Sequence, residues 1–184
     1  MYHHNSEPVT LQRDCMATLI PDGYEIELPQ GSIGYITQSL GGSFTVYVDG
    51  SLFRVAGVDA DALGKEPLAP PELPDDFGDE DVEQVIWNQI KTCYDPEIPI
   101  NVADLGLIYS CKIEKMEDGK RQVGIEMTLT APGCGMGEIL VEDVRSKVAL
   151  VPTVGRVHVE LVFDPPWDRS MMSEEAQLQT GMMY

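Results

Sequence analysis

The sequence predicts an α+β protein in two parts: a small N-terminal antiparallel, β-barrel-like domain, then an α/β-mixed domain. Three observations predict it. Short strand patterns separated by turn signals fill residues 15–58. Residues 64–78 hold four prolines and four carboxylates, a composition suited to a semi-extended linker. Beyond them, helix-period and strand-period patterns alternate. The expected plan is a flexible tail at 1–14, a small β domain at 15–63, the Pro-rich linker at 64–78, the mixed domain at 79–168 and a C-terminal tail at 169–184.

In the β part, residues 17–20 and 24–28 flank Pro21-Asp22-Gly23, a hairpin signal. Strands at 33–38, 44–48 and 52–58 follow, and Asp49-Gly50 is a favoured pair for a type I′ turn. Residues 59–63 predict one helical turn. Strands this short and this close suggest a barrel of SH3-like size. After the linker, 79–93 reads as a helix. Asp79, Glu80 and Asp81 suit its positive end, and Val82, Val85, Ile86, Ile90 and Cys93 form an apolar face. A strand follows at 107–113. Another runs to Thr130, with Val123, Ile125, Met127 and Leu129 on one face. Leu140, Val141, Val144 and Val148 mark a second helix. The last strand, 156–163, carries His158 and Glu160 opposite Val157, Val159 and Leu161. Asp164-Pro165-Pro166-Trp167 ends it and places Trp167 over the core edge.

Thirty-one acids against twelve bases give a net charge of −19. That argues against nucleic acid or an anionic membrane as the main partner. It fits basic partners or an acidic proteome. Cys15, Cys93, Cys111 and Cys134 are widely spaced and form no C-x-x-C, so neither a zinc knuckle nor a thioredoxin motif is present. No apolar segment precedes Val9, and no apolar run approaches the roughly 18 residues that span a bilayer. The expected setting is the cytoplasm, with reduced thiols. His3 and His4 are weak metal candidates in the tail. Cys93 and Cys111 fall in phase with apolar neighbours and read as core, and Cys15 has no acid–base partner in sequence.

That leaves Cys134. Thr128-Leu129-Thr130-Ala131-Pro132-Gly133-Cys134-Gly135-Met136-Gly137-Glu138 runs from a strand through a Pro-Gly turn into a helix. A thiol at a helix N-terminus meets free N–H groups and the positive end of the dipole, which favour the thiolate. Gly133 and Gly135 let a ligand come close. A Gly-rich turn with an incidental cysteine is the plainer alternative. Residues 94–109 form a long connection that holds Asp95, Glu97 and Asp104. Asp95 suits a turn cap before Pro96; a solvated role explains Asp104 poorly.

Together, Asp95-Pro96-Glu97-Ile98-Pro99-Ile100-Asn101 with Asp104-Leu105-Gly106-Leu107-Ile108-Tyr109, then Thr128-Leu129-Thr130-Ala131-Pro132-Gly133-Cys134, then Asp164-Pro165-Pro166-Trp167, resemble three signatures of the metal–sulfur cluster biosynthesis family. The N-terminal half, with 38–46 and 59–64, resembles the extra domain of the family's SufT branch. The family's proline after the cysteine is Gly135 here, which implies a looser loop. The resemblance implies a fold shared with iron–sulfur cluster assembly domains and a role as an auxiliary maturation factor, not an enzyme. It implies that Cys134 binds iron or a labile iron–sulfur cluster transiently, supported by Asp95, Glu97, Asp104, Thr130, Gly133 and Gly135. One cysteine supplies one of the four ligands a cluster iron wants, so a second subunit, a client or a small thiol would complete the site. The implied partners are the assembly machinery and client apo-proteins. A symmetric homodimer is the default assembly. Two alternatives stay open: an interaction scaffold that does not need Cys134, and an enzyme with Cys134 as nucleophile and His158 as base.

Overall fold

The structure, a computed structural model, describes residues 6–67, 69–95, 98–131 and 137–181. The chain divides into two compact units, Met1–Ala69 and Pro70–Tyr184.

The first unit is a six-stranded antiparallel sheet built from β1 (Glu7–Thr10), β2 (Cys15–Ile20), β3 (Glu25–Leu28), β4 (Ile33–Leu40), β5 (Ser43–Val48) and β6 (Ser51–Val55). Its order is β1-β4-β5-β6-β2-β3, and no ladder among the described residues joins β3 to β1. The expected barrel is therefore described only as far as an antiparallel sheet. Alternation puts Val46, Val48, Phe53 and Val55 into a core with Leu11, Ile36 and Phe44. Asp49 and Gly50 both take positive φ, 48° and 87°, as the tight β5–β6 turn demands. A 3₁₀ helix at Gly57–Leu63 follows β6 and buries Ala60, Ala62 and Leu63. The flexible tail expected at 1–14 is corrected: Glu7–Thr10 pairs with β4, and Leu11 is buried. Arg13 fastens the helix: its Nε donates to Asp61 and its Nη2 to Asp59 and Asp61 at 2.7–2.8 Å, while Nη1 donates to the Asp14 carbonyl at 3.1 Å.

The second unit holds α1 (Asp79–Ile90), β7 (Ile108–Lys115), β8 (Arg121–Met127), α2 (Gly137–Ala149), β9 (Val154–Leu161) and α3 (Glu174–Thr180). The sheet order is β7-β8-β9; β7 and β8 are antiparallel, β8 and β9 parallel. Parallel neighbours need a crossover, and α2 supplies it. Val82, Ile86 and Ile90 of α1 and Leu140, Val144 and Val148 of α2 share one core with Val123, Ile125 and Met127. The opposite sheet face carries Lys112, Gly124 and His158 side by side, and Glu126 beside Glu160.

Two further boundaries differ from expectation. The C-terminal tail expected at 169–184 instead forms a 3₁₀ turn at Arg169–Met171 and then α3, with Met172 and Ala176 in the core. The second half of the 64–78 linker is engaged: Leu73 packs on that same core, and the Phe77 ring lies under the buried Arg121. Arg121 also donates to Asp79 and Thr153, both at 2.7 Å. The bond from Arg121, and after it the one from Lys115, 3.4 Å away, hold the Asp79 carboxyl below the usual range.

Candidate functional site

The connection from α1 to β7 is built on hydrogen bonds within itself. Asp95 is buried, and its Oδ1 accepts the Ile98 N–H at 3.0 Å. Its own N–H donates to the Ile100 carbonyl at 3.2 Å. This is the turn cap that the sequence suggested. Asp104 has an equally local use. Its N–H donates to Asn101 Oδ1 at 2.9 Å, and Asn101 Nδ2 donates to Asp104 Oδ2 at 2.7 Å. Such a reciprocal pair closes a turn as a capping box closes a helix start.

The loop is then bound to the other motifs. The Thr128 N–H donates to the Leu107 carbonyl at 2.8 Å, tying the strand that leads to the cysteine segment. Tyr109 donates its hydroxyl to the Pro165 carbonyl at 2.8 Å, and Trp167 Nε1 donates to the Leu105 carbonyl at 2.7 Å. The Ser173 N–H reaches the Asp104 carbonyl at 2.8 Å. Gly106, at φ 76°, lies against the Met171 backbone with no room for a Cβ. The sequence placed Trp167 at the core edge, but neither indole nor phenol partner was read from it; the partners lie 62 and 56 residues away.

The start of α2 is equally tight. A Cβ on Gly137 would stand 2.8 Å from Leu129 Cδ1 and 3.3 Å from Leu161 Cδ1. Thr130 is partly buried just before this junction. Glu97, Gly133, Cys134 and Gly135 lie outside the described residues, Cys134 three positions before Gly137 in sequence. The structure thus brings together the frames of the three motifs, with Asp95, Asp104 and Thr130 on them. Among the described residues no group of three or more His, Cys, Asp or Glu side chains is arranged to hold a metal.

The other thiols are placed as packing groups. Cys15 and Cys93 are buried. Burial, then the Asp59 charge, raises the Cys15 pKa. Cys111 is half-buried against the second core, and desolvation with the nearby Glu83 charge pushes its pKa up to about 11. His158 is exposed on the sheet face away from α1 and α2. No local pattern in the sequence signals the polar tie between the helices: Lys147 Nζ donates to the Thr92 carbonyl at 2.7 Å and stands 3.5 Å from Asp143 Oδ1, while Gln89 donates to the Lys147 carbonyl.

Comparison with known proteins agrees with the motifs. Residues 83–160 match the family model described as "Iron-sulfur cluster assembly protein". A Porphyromonas gingivalis protein named Fe-S protein maturation auxiliary factor is 48% identical over 101 residues, 55% of this chain and 92% of the relative. The Staphylococcus aureus Fe-S protein maturation auxiliary factor SufT is 34% identical over 88 residues, 48% of this chain and 96% of the relative. A solved structure of a DUF59 domain from Bacillus anthracis covers 56% of this chain and 94% of its own, with 31% identity and a TM-score of 0.49. The chain belongs to the iron–sulfur cluster assembly protein family, and its sequence is of the SufT type. The first unit precedes the matched segment.

Proposed function

We propose that this protein is a cytoplasmic auxiliary factor in iron–sulfur protein maturation, which uses Cys134 to carry or transfer iron or a labile cluster to client apo-proteins. The observation that carries the maturation role is the 48% identity across 92% of the length of the Porphyromonas gingivalis auxiliary factor. The thiol reading rests on chemistry. Cluster iron prefers soft thiolate donors. Cys15 and Cys93 are packed and Cys111 is largely withdrawn, so Cys134 is the cysteine left for cargo. A single thiolate holds iron weakly, which suits a site that hands its cargo on. Asp95 and Asp104 support such a site by fixing their loop, and Glu97, Thr130, Gly133 and Gly135 by charge or access. The assembly machinery and client proteins are the partners, and a homodimer would bring a second thiol.

A second reading is favoured by one observation. Tyr109, Trp167, Asn101 and Asp104 of the signatures all spend their polar groups on the frame. A scaffold would use its motifs in that way and would not need Cys134. The reading of Cys134 as an enzyme nucleophile with His158 as its base draws no such support, because His158 lies on the face opposite α2.

Complementation separates the two. Deleting the gene should lower the activity of aconitase-type dehydratases without lowering their protein levels. Wild type should restore activity, and Cys134→Ser, shown to fold by its melting curve, should not. Full rescue by Cys134→Ser leaves the scaffold. Anaerobic purification with iron and sulfide analysis of both proteins tests cargo directly.

A further inference from the structure

The outer face of the first unit is not the plain polar surface expected of a half-buried sheet. Register places Pro8, Tyr35, Tyr47, Leu52 and Ile20 directly beside one another on five successive strands. At strand spacing this row is about 19 Å long. Tyr35 is 48% exposed, and Tyr47 and Leu52 are 38% exposed each. A groove of about 760 Å³ opens along the row, its lining including Ile20, Tyr35, Tyr47 and Leu52 together with Asp22 and Ser51. The sheet is shielded at its edges instead: β1 and β3 have four residues each, and β3 carries Glu25 and Glu27. The exposed aromatic row is thus the part of this unit left for recognition.

The charges around it select the occupant. Asp22, Glu25 and Glu27 border the face on the β2–β3 side, and Asp49 at the end of β5. Among the described residues, the base on this face is Arg54, which lies one row away and donates to Ser43 Oγ at 3.0 Å. A second copy would bring the same carboxylates against these, in a chain already at −19. We infer that this face is a docking groove for a basic, apolar-centred peptide segment of a partner protein, its aliphatic side chains on the Tyr35–Tyr47–Leu52 row and its flanking cations toward Asp22 and Asp49. About six residues of extended peptide span the row. The inference stands apart from the Cys134 reading and holds whether or not the thiol carries iron.

The test uses the full chain and a fluorescein-labelled peptide with a Leu-Thr-Leu-Thr-Leu centre and lysines at both ends. The same centre flanked by glutamates is the comparison, with anisotropy as the readout. The lysine peptide should bind and the glutamate peptide should not. Tyr35→Ser with Leu52→Ser should weaken binding about tenfold or more. Leu178→Ser, at a still more exposed apolar site in the second unit, should leave it unchanged. Asp22→Lys with Asp49→Lys should turn the preference toward the glutamate peptide. Melting curves identify any variant that has not folded; Tyr35→Phe then serves as the milder control and should bind as wild type. Equal weakening by Leu178→Ser, or no weakening by the groove pair, means non-specific attraction to an acidic protein and overturns the inference. So does a concentration-dependent dimer abolished by the groove pair, which makes the occupant a second copy. Binding that appears only after residues 1–5 are deleted overturns it too, since the chain's own N-terminus is then the occupant.

Discussion

Gly106→Ala is the sharpest probe of the frame that joins the three motifs. Gly106 sits at φ 76°, where an alanine costs about 1–2 kcal/mol from backbone strain alone. Its added Cβ would also fall 2.7 Å from the Met171 carbonyl carbon and 2.9 Å from the Met171 Cβ, and closer still to the carbonyl oxygen. Backbone cannot rotate away as a side chain can, so residues 165–173 must move. Among the hydrogen bonds that hold that segment are those of Tyr109 to Pro165, Trp167 to Leu105, and Ser173 to Asp104. Losing two of them at about 1 kcal/mol each brings the total to about 3–4 kcal/mol. Gly119→Ala is the matched control. Its φ is 81°, with nothing within 4 Å of a new Cβ, so only the strain of about 1–2 kcal/mol applies. At about 4 °C per kcal/mol for a unit of this size, Gly106→Ala should lower Tm by about 12–16 °C and Gly119→Ala by about 4–8 °C. Both tryptophans, Trp87 and Trp167, lie in the second unit, so tryptophan fluorescence follows its melting alone. Equal shifts for the two variants would refute the close packing of the C-terminal segment on the loop.

Three further outcomes are expected. The Asp79 carboxyl has a folded pKa below its unfolded value of about 3.9, so its bond to Arg121 stabilises fully above about pH 4 and fades as pH falls through the folded pKa; Asp79→Asn should flatten that acid slope in urea melts, and an unchanged slope refutes the pairing. With brief iodoacetamide at pH 7.5, Cys134 should label first and Cys93 last. At a pKa of about 11, Cys111 is only about one part in three thousand thiolate at that pH, so its labelling ahead of Cys134 would contradict the thiol assignment. Limited proteolysis should cut within 64–72 and release two folded pieces; it should spare 73–78, where Leu73 and Phe77 are engaged, and scattered cleavage in both halves would count against separate units.

The sequence announced what local periodicity encodes. Val123, Ile125 and Met127 alternate into the core as their spacing requires, and the acids of the first turn of α1 stand where the dipole favours them. Strand β1 escaped notice because a four-residue edge strand with one buried side chain, Val9, has no period to detect. Helix α3 escaped because it buries only Ala176. The parallel pairing of β8 with β9 escaped because it depends on partners beyond a whole helix. At the candidate site the same division holds. The Asp95 cap could be read from the residues beside it, and Asp104 could have been, since its partner Asn101 lies three residues before it. The bonds of Tyr109 and Trp167 could not, because nothing local distinguishes a phenol or indole that will reach a carbonyl more than fifty residues away. Those bonds also change how the motifs should be interpreted. A residue whose polar group is spent on the frame lowers stability when replaced, and any loss of function follows from that loss. Tyr109→Phe and Trp167→Phe should therefore reduce Tm and complementation together, with complementation recovering when the cells are grown cold. Cys134→Ser should reduce complementation at unchanged Tm and stay defective in the cold. If all three recover alike, the signatures build a surface and the thiol carries nothing.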